Sequence, residues 1–406
     1  MDIIDSQGYL KGFAAYTNED NSQHDSVTMI ACGDTGPVRN LERVVLDKGP
    51  MHVLGETTSI LNSADIVFAN LEVVFSERGS PLNRTPVFRL DPKAFEIIKD
   101  AKISVVSLAN NHMFDYGPEA FIDTFELIKA HNVKAFGAGL ILGQALKPAI
   151  ISSKGLKFGF LGFRDKEHKG FDHNGVITPE INKHIVFEEI KSLRPKVDVL
   201  ILSLHFGWEY QYYPSPKDVE LCRSFIDAGA DIILGHHPHY PQGIEEYRNG
   251  LIAYSLGNFI WDQKFIGHTD SSYMLSIDVT KKGIHRVKVI PFQMDSKYQL
   301  VIKSDKESIE EIELFSKVLS DYNLLREKWY YICRDRFLVL VKDVYKNAFK
   351  KRSISYVKTS WLNNVSNPRA LYAWFSLFAS VFTLKAIKYE VKKILRKRDN
   401  KKYSSS

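Results

Sequence analysis

The chain is short of cysteine: Cys32, Cys222 and Cys333 are the only three among 406 residues, far apart and without a CxxC pair. That excludes a disulfide framework or a thiolate metal site, and it suits a reducing compartment. No run of about 18 or more purely apolar residues occurs, so no membrane-spanning helix is expected. The first 26 residues are acidic and broken, without the basic start and apolar centre of a secretion signal, and no export route is expected. The main body also lacks an excess of charge. Between Lys385 and Lys402, nine Lys/Arg against Glu390 and Asp399 supply a local +7, which leaves the rest of this +6 chain near −1. Nucleic acid is therefore not an expected partner of the body. Whatever the charge does, the tail does.

What is present is an ordinary globular composition, 44% hydrophobic, long enough for two or three domains or one large α/β domain with an appendage. Short apolar runs at 27–32, 65–69, 103–108, 197–204 and 232–234 read as strands. Segments 118–132 and 217–230 carry apolar residues at helical spacing, the first opening on Pro118. Runs 148–153 and 156–163 form a hairpin pattern around Lys154-Gly155. Runs 251–259, 272–279 and 283–292 close the unit with antiparallel signals. The expectation is an α/β core with mixed sheets.

The polar residues carry the functional signal. Asp34, Glu72, Asn111, His205 and His237 each follow the end of an apolar run. In open α/β sheets ligands bind outside the carboxyl ends of the strands, so five loops can converge on one crevice. The densest of these loops is Gly235-His236-His237-Pro238-His239, in which the proline stiffens a His-x-His spacing that can aim two rings at neighbouring ions. Asp34, Glu72, Asn111, His205, His237 and His239 together mix oxygen and imidazole donors and contain no thiolate. That mixture suits Mn, Fe or Zn and disfavours an all-oxygen Ca or Mg cage. Six side chains exceed what one catalytic ion with an open position takes. They suit two divalent ions about 3.5–4 Å apart, a pair that lowers the pKa of bound water and neutralises an anionic transition state. His112, beside Asn111, is placed to protonate a leaving group.

The stretches Gly33-Asp34, Asn70-Leu71-Glu72, Ala109-Asn110-Asn111-His112 with Asp115-Tyr116-Gly117, His205-x-Gly207-x-Glu209-Tyr210, Gly235-His236-His237-Pro238-His239 with Gln242, and Tyr254 to Phe259 appear in this order over about residues 27 to 293. In them the chain resembles the CapA family of capsule or poly-γ-glutamate biosynthesis proteins, a branch of the calcineurin-like metallophosphoesterases. The resemblance implies an α/β sandwich of two mixed sheets flanked by helices. It also implies roles: Asp34 and His239 on one ion, Glu72 bridging, Asn111, His205 and His237 on the other, and His112 as proton donor. Two positions depart from the wider pattern. Gly36 stands where a ligand histidine would follow Asp34, and the bridging acid is Glu rather than Asp.

Around these, Asp115 and Glu209 are expected to orient ligands, and His236 and Asn258 to orient ligands or meet substrate. Arg39 and Arg89 are candidates to grip an anionic substrate. The plainer readings are a turn residue for Asp34, a left-handed turn for Asn111, a satisfied core histidine for His205 and solvated arginines. His24, His131, His173 and His184 belong to no organised pattern.

The expected domains are an N-terminal extension at 1–26, the metallophosphoesterase-like domain at 27–294, and a helical extension with a basic tail at 295–406. Residues 304–352 read as one or two long helices. After Asn367-Pro368 comes an apolar, aromatic stretch, 370–384, which is short for a span of ~20 residues. Followed by the basic tail, it suggests peripheral contact with an anionic membrane from the cytoplasmic side, or a helical cap on the main domain. The functional expectation is a dinuclear-metal phosphoesterase in capsule, polyglutamate or exopolysaccharide synthesis, in the cytoplasm, acting on an anionic polymer or phosphate ester. The alternatives are a polymer-binding or export module without catalysis, and an amide hydrolase using the same ions.

Overall fold

Alternation along the first strand fixes the layers. In β1 (Val27–Thr35), Val27, Met29 and Ala31 enter one core, while Ile30 and Cys32 enter another. A strand apolar on both faces must be covered on both faces. These facts come from a computed structural model, which describes residues 3–13, 26–165 and 175–351.

The strands that follow are β2 (Ile66–Leu71), β3 (Val74–Phe75), β4 (Arg89–Leu90), β5 (Val105–Ser107), β6 (Lys134–Phe136), β7 (Ala149–Ser153) and β8 (Leu156–Arg164). Then come β9 (Val199–His205), β10 (Ile232–His236), β11 (Ile244–Tyr247), β12 (Gly250–Ala253), β13 (Asn258–Ile260), β14 (Ser271–Thr280), β15 (Gly283–Met294) and β16 (Leu300–Ile302). One sheet runs β16-β15-β14-β1-β2-β5-β6, with β13 also paired to β1. The second runs β11-β12-β10-β9-β8-β7. Both are mixed: β1, β2, β5 and β6 are parallel and β14 to β16 antiparallel in the first, while in the second β8, β9, β10 and β12 are parallel and flanked by antiparallel β7 and β11.

The core between the sheets includes Met29, Phe68, Phe160, Ile201 and Leu234. Phe68 and Phe160 stack with ring centroids 6.2 Å apart. Burying each such side chain contributes about 1.5–3 kcal/mol. The outer core of the first sheet takes Val45, Phe95, Phe121 and Ile128 from helices Asn40–Lys48 and Gly117–Ala130 and the turn at Pro92–Phe95. Helix Pro216–Asp227 lies against β10 and β12. It opens on a capping box, in which Ser215 and Asp218 satisfy each other's backbone N–H groups. The expected architecture, an α/β sandwich of two mixed sheets with flanking helices, is the one present.

Two expectations need correction. Run 251–259 is not one antiparallel strand: β12 lies parallel to β10 in one sheet, the chain turns at Gly257 (φ 68°), and β13 lies parallel to β1 in the other. One compact unit spans Met1–Tyr322 and the second Asn323–Ser406. Ile4 and Leu10 are buried in the inter-sheet core, β16 extends the first sheet, and Glu313 of helix Lys306–Ser320 accepts from the N–H groups of Ile3 and Ile4 at 2.8 and 2.7 Å. Helices Asn40–Lys48 and Lys183–Leu193 are absent from the sequence expectations.

The described residues of the second unit, 323–351, belong to the helix Tyr322–Lys351. The apolar stretch 370–384 and the basic tail lie outside the described residues. No helix among the described residues is long and apolar enough to cross a membrane.

Candidate metal centre

Strand register brings the donors level. Asp34 of β1 stands opposite Asn70 of β2 and Asn258 of β13, and His236 of β10 stands opposite His205 of β9. These parallel strands end at one edge of the two sheets, where the loops begin. Close approach at that edge needs glycine. A Cβ at Gly33 would lie 1.9 Å from the carbonyl oxygen of Gly257, the same oxygen that accepts from the Asp34 N–H at 2.9 Å. His237 and His239 both sit at positive φ, 95° and 57°, on either side of Pro238. Side-chain-bearing residues there store about 1–3 kcal/mol each, and such strain gathers at functional sites.

The loops assemble two sets of donors that share one carboxylate. Asp34, Glu72 and His239 form the first, and Glu72, His205 and His237 the second. Within each set the donor atoms lie within 4.8 Å of one another, and all five residues are buried. The two carboxylates are held differently. Asp34 accepts from Asn70 Nδ2 at 2.8 Å and from the His237 N–H at 3.3 Å, and its oxygens lie 3.2 Å from His239 Nδ1 and 3.6 Å from His236 Nδ1. Burial alone would raise its pKa, but the two imidazoles outweigh burial and hold it well below the usual carboxylate range. His239 is affected in the opposite sense. Burial lowers its pKa, and the hydrogen bond and charge of Asp34 override that to leave it raised.

Glu72 has no such support. Neither carboxylate oxygen has a hydrogen-bond donor among the described residues, although both are buried. His205 Nε2 lies 3.3 Å from its Oε1. Burial first, then the charges of Asp34, Glu209 and Asp115, push it well above its ordinary value. Asn111 completes this half, its Oδ1 lying 2.8 Å from His205 Nε2. The His205 and His237 rings are 4.8 Å apart.

His112 stands beside this pair, with Nδ1 2.7 Å from Asp115 Oδ2. Burial pushes the imidazole down, against the pull of Asp115. With Nδ1 engaged, Nε2 is the ring nitrogen left to exchange a proton with a substrate. Asp115 in turn accepts from the Phe88 N–H at 2.7 Å and from Arg84 Nη2, and Arg84 Nη2 also donates to the Asn111 carbonyl at 2.5 Å.

Of the other candidates, His236 is fully buried against Phe68, their rings 5.6 Å apart, and Asn258 accepts from His239 Nδ1 at 2.8 Å. Glu209 lies within electrostatic reach of Glu72 and His239. Arg39 stacks on Phe88, whose ring is 4.7 Å from His112. Arg89 is exposed, donates to the carbonyls of Arg78 and Gly79, and stacks on Tyr116.

Sequence reasoning missed three contributors. Asn70 links Asp34 to His205, Nδ2 lying 2.8 Å from one and 3.3 Å from the other. Asn110 holds Asn70 Oδ1 and the Leu71 carbonyl. Both stood inside matched stretches, with no role assigned to them. Arg84 had no signal, because nothing in an irregular loop marks which guanidinium folds inward.

The donor chemistry fits divalent ions. A fully buried carboxylate without a hydrogen-bond donor, midway between two imidazole-bearing sets, is costly in a dry site and is satisfied by a cation. The imidazoles of His205 and His237 and the ionised Asp34 supply the mixed N/O set that such ions take.

Residues 28–263 match the family described as Bacterial capsule synthesis protein PGA_cap. The chain is 30% identical over 298 residues to the PGA biosynthesis protein CapA of Bacillus subtilis (strain 168), covering 72% of this chain and 77% of that protein. It is also 30% identical over 286 residues to the capsule biosynthesis protein CapA of Bacillus anthracis, covering 67% of this chain and 68% of that one. Among solved structures it is similar to the 5'-nucleotidase of Candida albicans SC5314, at a TM-score of 0.40 and 13% identity, over 74% of this chain and 57% of that chain. With the match spanning more than half its length, this chain belongs to the PGA_cap family of bacterial capsule synthesis proteins.

Proposed function

We propose that the protein is a dinuclear-metal hydrolase of an anionic ester, foremost a phosphate ester, serving the synthesis of a capsule or polyglutamate polymer. The observation that carries this reading is Glu72, buried without a hydrogen-bond donor and shared by both donor sets. When bound, two divalent ions would supply an activated water and positive charge for an anionic transition state. Asp34 and His239 would hold one ion, His205, His237 and Asn111 the other, with Glu72 between them. Asn70 fixes Asp34 and His205 relative to each other, and Asn258 fixes His239. Asp115 orients His112 and favours its protonated form as anionic substrate arrives, so that Nε2 can give the leaving group its proton.

A second reading has support at Gly36. A Cβ there would lie 2.4 Å from Val73 Cγ1, so the first set has no room for a further ligand at that position. A site short of one ligand suits a polymer-binding module whose metal is structural. Turnover of 4-nitrophenyl phosphate by the metal-loaded protein decides between them. The hydrolase reading expects metal-dependent turnover that falls about 10²–10⁴-fold in His112→Ala. Metal-loaded protein that turns over no ester but binds polymer would replace it with the second reading.

A further inference from the structure

Arg39 is built into the rim of this centre in an unusual way. It precedes helix Asn40–Lys48 at φ 59°, a conformation that side-chain-bearing residues seldom adopt. Its guanidinium carbon lies 5.0 Å from the ring centroids of both Phe88 and Phe265. Phe88 touches the centre directly, its ring 4.7 Å from His112 and 5.2 Å from Trp261, which stacks on His239 at 5.5 Å. Phe265 is 70% exposed, a large ring left in water whose described cation contact is Arg39.

The guanidinium has five N–H donors, and among the described residues it makes one hydrogen bond, from Nη1 to the Asp262 carbonyl oxygen at 2.6 Å. Among those residues it forms no ion pair. The nearby Asp262 carboxylate is engaged elsewhere, by the N–H and side chain of Asn40 and by the Tyr298 hydroxyl. Burial is the largest influence on the Arg39 guanidinium and pushes its pKa down. A half-buried cation with aromatic contacts, most donors uncommitted and a nearby Asp262 charge that does not outweigh burial is placed to take a further anion. Lysine in this place would neither stack nor present a fork.

The geometry points to Arg39 as the residue that selects a substrate bearing a second anionic group, a carboxylate or a phosphate, beside the group hydrolysed at the centre. This rests on the hydrolase reading for the identity of the first group. The second group would lie against the Phe88 edge and take a forked contact from Arg39. The substrate class is then a polyanion, not an isolated monoester.

The test measures binding of three probes to the full-length, metal-loaded protein by calorimetry: phenyl phosphate, 4-carboxyphenyl phosphate and 1,4-phenylene bisphosphate. The expected result is that the wild type prefers one or both two-anion probes over phenyl phosphate by about tenfold or more, the size of one charge-assisted contact. The carboxylate and bisphosphate arms show which anion is taken. In Arg39→Met that ratio falls toward one, and in Arg39→Lys it is only partly kept. Phe265→Ala, which removes an exposed ring and leaves the helix start intact, lowers the ratio in the same direction and covers a failure of Arg39→Met to fold. An unchanged ratio in folded Arg39→Met, or a wild type with no preference, overturns the assignment. Turnover of the same probes is read separately. Arg39-dependent preference without hydrolysis keeps the anion site and removes the hydrolase reading, whereas hydrolysis without the preference does the reverse.

Discussion

Asp34 and Glu72 are equally buried and carry the same functional group, yet the protein treats them oppositely. Asp34 lies among donors: an amide, a backbone N–H and two imidazoles hold its charge without any added cation. Among the described residues Glu72 receives no hydrogen bond and faces three other carboxylates, so its charged form is disfavoured until a cation arrives. One half of the centre is thus assembled by folding itself, and the other is left incomplete. A carboxylate in a closed core without donors is a fault unless something else is meant to occupy the space. The difference between the two halves locates where an ion contributes most.

Breaking the unsupported half should have the largest effect. Glu72→Gln removes the shared ligand and is expected to lower both metal content and any metal-dependent turnover, the latter by about 10³-fold or more. In metal-free protein the same change should be benign. Because the Glu72 pKa is raised above its ordinary 4.5, wild-type stability in chelator should decline as pH rises from that value, and Glu72→Gln should lose the decline. Denaturant melts across pH check both parts.

Breaking the supported half sharpens the contrast. Asp34→Asn takes away a charge on which two imidazoles depend, and metal-free protein should lose about 2–3 kcal/mol. The Asp34 pKa is depressed, so its contribution is present above its ordinary 3.8 and fades as pH falls below it, the reverse of Glu72. Urea melts of the two variants in chelator should therefore move in opposite directions.

A smaller effect follows from the proton that Glu72 must release on metal binding. Metal affinity should rise with pH, by up to about tenfold per unit for each proton released, until Glu72 is ionised in the metal-free state. Titrations in buffers of different ionisation enthalpy count that proton. A pH-independent affinity would mean that Glu72 does not bind the metal. Smallest of all, Arg89→Ala, outside both halves, should leave metal content unchanged and alter stability by no more than about 0.5 kcal/mol.

Much of this was legible in the chain because parallel strands end where ligands gather. Apolar runs stopping at Asp34, Glu72, His205 and His237 revealed both the sheets and the crevice. The hairpin around Lys154-Gly155 was equally plain, both residues taking the positive φ that such a turn requires. What could not be read depended on contacts distant in sequence. The split of 251–259 between two sheets is decided by β1 and β10, more than 200 and about 20 residues away, and a one-dimensional apolar run carries no sign of two partners. Arg84 lies in the loop before β4 and Arg89 opens that strand, yet one folds toward Asp115 and the other stacks on Tyr116. Only the placement of the carboxylate distinguishes them. Asn70 and Asn110 were hidden differently: a residue that orients ligands has no signature beyond its adjacency to them.

The most direct test of the shared carboxylate is metal analysis of the purified full-length protein beside Glu72→Gln, after equal loading with Mn, Fe or Zn. The account expects close to two ions per chain in the wild type and loss of at least one in the variant, with both proteins folded. Equal metal content in the two, or a folded wild type that takes up no ion, would contradict it.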